Sequence, residues 1–553
     1  MADSGTQIID RTSPIAAEPV PRLLEEAVRR FPRRPAMDFL GKQTSYARLG
    51  RQVMAAARGF QRLGVKKGDR VALCLPNTPY YVICYYAVMS IGGVVVNLNP
   101  LYVEREMRHL VEDSGASLLV TLDLDALTQK LLPLLGGSCL EKLIVCSMLD
   151  ILPPLKRLGF SLLKRALLAR LPQDERILPF ARLMRGRGKP VLAEIDPNED
   201  IAVLQYTGGT TGIPKAAMLT HANLTANCDQ LSRLTPDIPL GKGSMLVLLP
   251  LFHVFAMTVA MNLAVRFVAE MVLLPRYDKD LLRKTIRRKK PTMFPGVPTI
   301  FTNINEAAAE EPWALSSIRY CISGGAPLPM EVRHRFEALS GCSLVEGYGL
   351  SETSPVVTCN PMDAVRDGSI GPPLPGTIVE IRSPDDPGKL LGIGEKGEVC
   401  VRGPQVMRGY WRHQDETANV FVEGALRTGD IGYRDEDGYI YLVDRIKDVI
   451  LSGGYNVYPR MVEEAIYEHP SVAEAVVIGI PDPVRGQVPK AFVTLRHDQI
   501  LSVEDLQAFL EDRLSPIERP RQIEFRDTLP KTLVGKLSKK ELLAEELAKQ
   551  GSR

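Results

Sequence analysis

The stretch "YTGGTTGIPK", residues 206–215, gathers three glycines, four hydroxyl-bearing residues and a lysine into ten positions. Glycines let main-chain N–H groups close on a ligand. The hydroxyls of Thr207, Thr210 and Thr211 and the point charge of Lys215 suit phosphate oxygens, with Gly208, Gly209 and Gly212 clearing the approach. The strict loop G-x-x-x-x-G-K-[ST] is absent, because Lys215 stands between Pro214 and Ala216. Taken alone, the stretch reads equally well as a Gly-rich hairpin turn. Further candidates lie downstream. "SGGAPL", 323–328, offers adjacent glycines where a flat ring can approach backbone. "EGYGLSET", 346–353, sets Tyr348 between Gly347 and Gly349 and follows it with Glu352. An aromatic there can stack on a purine, and one carboxylate oxygen suits Mg²⁺ shared with phosphate. "RTGD" places Asp430 after a turn, where it can accept both hydroxyls of a ribose, and Arg445 follows. "PKTLVGKLSKKE" carries Lys536 on a Gly-marked loop before the last helix. Singly, a tyrosine is more often core and an aspartate more often a turn cap.

The elements that must hold these residues alternate. "VPRLLEEAVRRF" reads as an amphipathic helix; "RVALCLP", "SLLVT", "IAVLQ" and "CSLVEGYG" read as strands. Such alternation predicts α/β sheets with helices on their faces. Past "LVDRIK", 442–447, the pattern becomes a compact α+β unit. Its helix "PRMVEEAIYEH" is followed by strands "AEAVVIGI" and "KAFVTL", helix "SVEDLQAFLEDRL", strand "QIEFR" and a last helix opening at Ser538 with Glu541 three residues on. The boundary is therefore drawn near 443–447, dividing 1–443 from 448–553 with 444–447 as the linker between them. A chain of 553 residues exceeds one ordinary core. "YYVICYYAVMSIGGVVV", 80–96, is at the lower limit of spanning length, but Gly92-Gly93 splits it, so a buried helix and strand are expected.

Nine scattered cysteines without a C-x-x-C pair and seven histidines without metal spacing predict reduced thiols and no structural zinc. No basic start followed by an apolar run marks the first residues as a secretory signal, and cytoplasmic residence is expected. A net charge of +3 gives no reason to expect nucleic acid. The charge is unevenly spread: residues 151–190 hold ten Lys/Arg against Asp174 and Glu175. Within them "LKRLGFSLLKRALLARL" interleaves leucines with Lys156, Arg157, Lys164, Arg165 and Arg170, the pattern of a basic amphipathic helix. It suits either an anionic bilayer, here the inner face of the membrane, or a solvated surface packed on its own domain.

In order and separation, "YTGGTTGIPK", "PLFHVF", "EGYGLSET", "RTGD", "DRIKD" and "PKTLVGK" closely resemble the adenylate-forming superfamily of acyl-CoA synthetases, luciferases and adenylation domains, over about residues 20–545. "VVNLNPLY", "GPQVMRGYW" and "SGGYNVYPRMVEE" look most like bacterial long-chain fatty-acid–CoA ligases. The resemblance implies a large N-terminal domain of α/β subdomains with a small mobile α+β C-terminal domain. It implies ATP, Mg²⁺ and CoA as cofactor and co-substrates, a fatty acid as substrate, and it leaves a homodimer open.

Carried over by position, Thr207 to Lys215 cradle the phosphates, and Thr207 and Glu352 hold Mg²⁺. Gly324, Gly325, Ala326 and Tyr348 take adenine, flanked by Glu346, Gly347, Gly349 and Thr353. Asp430 and Arg445 take the ribose, and His253 marks the carboxylate end of an acyl tunnel. Lys447 is the pivot, Gly453 and Gly454 face CoA, and Lys536 acts in adenylation. Joining a carboxylate to AMP removes its repelling charge and supplies a leaving group; cations must neutralise the approach of two anions. Where relatives read "GWLHTGD" this chain has Ala425 and Arg427, Met257 stands at a gate position, and Glu518 replaces a frequent lysine. Medium-chain or aryl-acid ligases, an acyl-AMP ligase serving a carrier protein, and an inactive lipid-binding homologue are the rival readings. The intact "SGGYNVYP" favours CoA over a carrier, and Lys215, Glu352, Asp430 and Lys536 oppose the inactive reading.

Overall fold

The computed structural model describes residues 14–15, 17–207, 214–235, 238–532 and 537–551. Gly208, Gly209, Thr210, Thr211 and Gly212 of the glycine loop, and Lys536, lie outside the described residues. The first sheet has seven strands in the order Ile177–Pro179, Lys142–Cys146, Leu118–Leu122, Arg70–Cys74, Val94–Asn97, Ile201–Thr207, Lys215–Thr220. All neighbours run parallel except the last pair. Leu118–Leu122 is buried at every position, as expected of a strand covered on both faces. The second sheet has eight strands, with parallel pairing from Pro35–Phe39 through Glu270–Leu273, Ser244–Val247, Met293–Gly296 and Tyr320–Gly324 to Leu344–Gly349. An antiparallel strand closes each edge.

The helix Pro79–Ser90 is buried along its entire length. A helix apolar all round has no face for water, and one hydrophobic core joins it to residues of both sheets, Val71 and Val120 on one side and Leu246 and Val272 on the other. Among the described residues no helix is long and apolar enough to cross a membrane. The expected basic helix is shorter than its sequence pattern. It spans Pro154–Leu163, a 3-10 turn covers Arg165–Leu167, and the chain then extends, with Leu168 bridging to Leu124 and Ala169 N–H donating to Asp123 O. Leu168 packs against the core, and this anchorage overrides the helical spacing.

A third, antiparallel sheet contains Ala425–Arg434 and Ile440–Arg445. A fourth is built from Ile450–Ser452, Tyr455–Val457, Val472–Asp482, Gly486–Leu495 and Gln522–Phe525. Helices Pro459–Tyr467 and Val503–Glu511 cover one face with a core of their own, and Lys539–Gly551 packs on Val472–Asp482. Together these give an α/β fold with a large N-terminal and a small C-terminal domain. An Arg496–Glu331 ion pair joins the small domain to the large one, and the Arg460 N–H donates to Asp444 Oδ2 of the linking segment at 2.7 Å.

Candidate functional site

Parallel sheets bind ligands at the carboxyl ends of their strands, and Thr207, Gly324 and the run Gly347 to Gly349 stand at such ends. Thr207 ends its strand directly opposite Lys215, with Thr207 Oγ1 3.5 Å from Lys215 O, so the glycine run joins two antiparallel strands. Lys215 Nζ lies 3.4 Å from Glu416 and 5.6 Å above the Tyr410 ring. The Tyr410 hydroxyl donates to Glu352 Oε1 at 2.9 Å. Burial and then the Glu352 charge push the Tyr410 phenol far up, so it stays a neutral donor. Glu352 sits on the 3-10 turn Ser351–Thr353, fixed by Met407 N–H donating to its carbonyl at 2.7 Å. Tyr410 is held there because Arg408–Trp411 runs as an extended segment beside Lys215–Thr220, bridging to Ala217. Thr353 is buried with its hydroxyl committed to the Leu350 and Pro355 carbonyls, so as placed it shapes the turn that presents Glu352.

A second group is organised around Asp430, only 5% exposed. Tyr348 Oη donates to its Oδ2 at 2.6 Å and Arg445 Nε to its Oδ1 at 2.9 Å. Arg445 is there because strand register sets it directly opposite Asp430. Burial and the Asp430 charge hold the Tyr348 phenol far above its ordinary value. The departure at Arg427 has a structural use: it pairs with Glu398 at 2.7 Å, and the same carboxylate accepts the Gly429 N–H at 3.0 Å, bracing the turn beneath Asp430. Glu518 accepts the N–H and hydroxyl of Ser515 and closes a local turn.

Gly324 and Gly347 face one another across paired strands, and Gly325 and Ala326 lie at the surface beyond. Gly349 is required by its own backbone, since a Cβ there meets Pro355 O at 1.8 Å. Glu346 is half-buried beside Arg460; burial, opposed by the Arg460 charge, raises its pKa to about 7. His253 Nδ1 accepts the Phe255 N–H at 3.3 Å, and Phe255 packs on Gly324. Next comes a π-helical run, Ala256–Asn262, a distortion frequent at functional sites. Met257 is buried, its sulfur 3.4 Å from the Asn97 amide, which donates on to Gln205 at 3.0 Å.

Behind these glycines, toward the starts of the same strands, lies a narrow apolar crevice of about 50 Å³. Val259 and Leu263 of the π-helical side, Leu231, Phe294, Ile322 and Val345 line it. Ile322 and Val345 belong to the strands that end in Gly324 and Gly349.

Gly453 and Gly454 have φ of +58° and +85° and form the two-residue turn of the hairpin Ile450–Ser452/Tyr455–Val457. That geometry favours glycine at both places. The hairpin tip is exposed, with Tyr455 65% accessible. Lys447 is exposed on the 3-10 turn Ile446–Asp448. Sequence reading missed Tyr410, Glu416 and Arg460 as neighbours of the site. "GPQVMRGYW" was visible as a motif, but no spacing connects Tyr410 to a lysine so far back in the chain.

This arrangement can hold a nucleotide: a cation and carboxylate at one edge, a ribose-suited aspartate at the other, and glycines between. The model of the AMP-binding enzyme family matches residues 24–411, and that of its C-terminal domain matches 461–536. The chain belongs to the AMP-binding enzyme family. It is 43% identical to a long-chain-fatty-acid–CoA ligase of Bacillus subtilis strain 168, over 96% of this chain and 95% of that one. Among solved structures it is similar to the anthranilate CoA ligase AuaEII in complex with anthranoyl-AMP (TM-score 0.83, 26% identity, 98% of this chain and 99% of that one). It is also similar to ATP-bound MatB from Rhodopseudomonas palustris (TM-score 0.81, 28% identity, 95% and 98%).

Proposed function

We propose that this family member is a long-chain fatty-acid–CoA ligase. It joins a fatty-acid carboxylate to the α-phosphate of ATP with loss of pyrophosphate, then transfers the acyl group to the CoA thiol with release of AMP. The observation that carries the reading is the apolar crevice, whose walls are the same strands that present Gly324, Gly347 and Tyr348 to the nucleotide edge. Its lining offers an alkyl chain burial worth about 0.8 kcal/mol per methylene.

Thr207 and Lys215 anchor the ends of the phosphate loop, Asp430 accepts the ribose hydroxyls, and Tyr348 with Gly324 to Ala326 borders the adenine. Among the described residues no three His, Cys, Asp or Glu side chains are placed to hold a metal ion by themselves. Mg²⁺ would therefore take Glu352, the Thr207 hydroxyl, phosphate oxygens and water, a donor set it favours. When bound it neutralises phosphate charge. His253 would mark the carboxylate end of the acyl tunnel, next to Phe255, which packs on Gly324, and Lys536 would neutralise the converging anions during adenylation. With the hairpin tip facing solvent, presenting Gly453 and Gly454 to CoA calls for the C-terminal domain to turn about Lys447.

The protein acts in the cytoplasm and docks reversibly on the inner face of an anionic membrane. Supporting this, Leu155, Leu158, Leu162 and Leu163 are 86, 58, 72 and 86% exposed beside Lys156, Arg157, Lys164 and Arg165. The deciding assay is acid-dependent ATP–pyrophosphate exchange over carboxylic acids of graded length, repeated as acyl-CoA formation with CoA. Rates should rise with chain length until the crevice is filled. Fastest turnover on acetate or benzoate overturns the long-chain assignment.

A further inference from the structure

A second cavity, of about 310 Å³, lies away from the nucleotide edge. It opens between the helix Tyr46–Arg62, the buried helix Pro79–Ser90 and the short helix Phe180–Leu183, at the outer edge of the seven-stranded sheet. Its volume is that of a small-molecule site. The floor is apolar and buried: Tyr80, Ile83, Val145, Ile151 and Phe180. Tyr80 and Phe180 meet edge to face at 4.9 Å, and the Tyr80 hydroxyl is used up on Ser147 O at 3.0 Å. The floor therefore offers an occupant carbon rather than polar contacts.

The rim is different. Lys42 and Arg48 stand on it, with Asp150 as the acid among the lining residues. Lys42 Nζ donates to the Asp150 main-chain carbonyl, while the Asp150 carboxylate lies 3.7 Å from Arg157. Among the described residues neither rim cation has a carboxylate within ion-pair distance, and burial followed by the Arg48 charge lowers the Lys42 pKa. The Gln52 amide lines the wall, and among the described residues its buried Oε1 has no hydrogen-bond partner. An amide can turn either end to a ligand, so Gln52 can offer an N–H to an acceptor. Immediately after Ile151 comes the helix Pro154–Leu163 with its exposed leucines, and Lys156 Nζ donates to Leu40 O, two residues from Lys42. The mouth thus lies beside the surface assigned above to the bilayer.

We propose that this cavity binds a single-chain anionic amphiphile, a long-chain carboxylate, with its head at Lys42, Arg48 and Gln52 and its chain against Tyr80, Ile83, Phe180 and Met184. It is a second site, separate from the crevice behind Gly324, and its ligand class rests on the ligase reading above. The carboxylate can arrive free in water or out of a bilayer; the chemistry recognised is the same.

The test uses full-length protein with the catalytic crevice filled by a sulfamoyl-linked dodecanoyl-adenosine, a non-reactive stand-in for acyl-AMP. Saturable binding of that compound reports on the ligase reading by itself. Calorimetric titration with dodecanoate should then show one remaining site. Arg48→Glu with Lys42→Glu should weaken it by at least about tenfold, and Met184→Trp, at the cavity wall, should block it. Acyl-CoA synthesis from soluble dodecanoate should stay within about twofold of wild type in all variants. Dodecanol or dodecyltrimethylammonium binding as tightly as dodecanoate overturns the anionic assignment. So do an absent remaining site, or one indifferent to both the charge pair and Met184→Trp. Loss of synthesis in the charge variant would make the cavity part of the catalytic channel and refute a second site. Loading from anionic vesicles that fails in the charge variant, with loading from water failing alike, identifies one shared site for both sources; unequal failure refutes it.

Discussion

Asp430→Asn isolates the proposed ribose contact because it alters charge while keeping shape. In the wild type each carboxylate oxygen already accepts one hydrogen bond, from Tyr348 at 2.6 Å and from Arg445 at 2.9 Å. That leaves one lone pair on each for a ribose hydroxyl. Both existing partners are donors, so the asparagine NH₂ must confront one of them, and the Tyr348 hydroxyl can turn to accept. The Arg445 side chain is 49% exposed and water can solvate its charge once the buried carboxylate is neutral, so losing the ion pair costs about 1–2 kcal/mol of stability, small for a chain of this size. The variant should therefore fold, with a melting temperature close to wild type. A hydrogen bond to a charged group is worth about 1.5–3 kcal/mol. Losing the ribose bond should then lower kcat/KM for ATP about 10- to 150-fold in pyrophosphate exchange. The decisive control is 3′-deoxy-ATP. Wild type should lose a similar factor with it, and Asp430→Asn should lose much less, because the contact is already gone. A full deoxy penalty persisting in Asp430→Asn refutes the ribose assignment.

Glu346 has its pKa raised from 4.5 to about 7, chiefly by burial, so the folded state favours the protonated acid. Its stabilising contribution is complete below pH 4.5 and is lost as pH rises through about 7. Glu346→Gln should accordingly gain melting temperature over wild type between pH 5 and 8; a constant difference across that range counts against the shift. Lys536→Ala should slow acyl-AMP formation by about 10²–10³-fold, yet still make thioester from supplied acyl-AMP and CoA. Equal loss in both half-reactions removes support for a lysine that acts in the first alone. Replacing Lys156, Arg157, Lys164 and Arg165 by glutamate should release the protein from anionic vesicles, each cation contributing roughly 1 kcal/mol at low salt. Unchanged co-sedimentation would clear residues 152–171 of the docking role.

Local chemistry made much of this protein legible in its sequence. Continuous apolar runs such as "SLLVT" announce strands covered on both faces, and the glycine spacing of "EGYGLSET" marks backbone that something must approach closely. Family resemblance then implied that Lys215, Glu352, Asp430 and Arg445 serve one nucleotide. Three matters waited for tertiary structure, each because the responsible contact joins residues far apart in the chain. Tyr410 reaches Glu352 and Lys215 only because a distant extended segment runs beside Lys215–Thr220. The basic helix stops at Leu163, despite helical spacing beyond it, because Leu168 and Ala169 are captured by the segment at Asp123–Leu124. Gly349 answers first to a neighbouring carbonyl and Gly453-Gly454 to a hairpin turn, demands that a motif cannot separate from those of a ligand. The sequence determines which groups can do chemistry; packing and strand register decide which of them meet, since both depend on the whole fold at once.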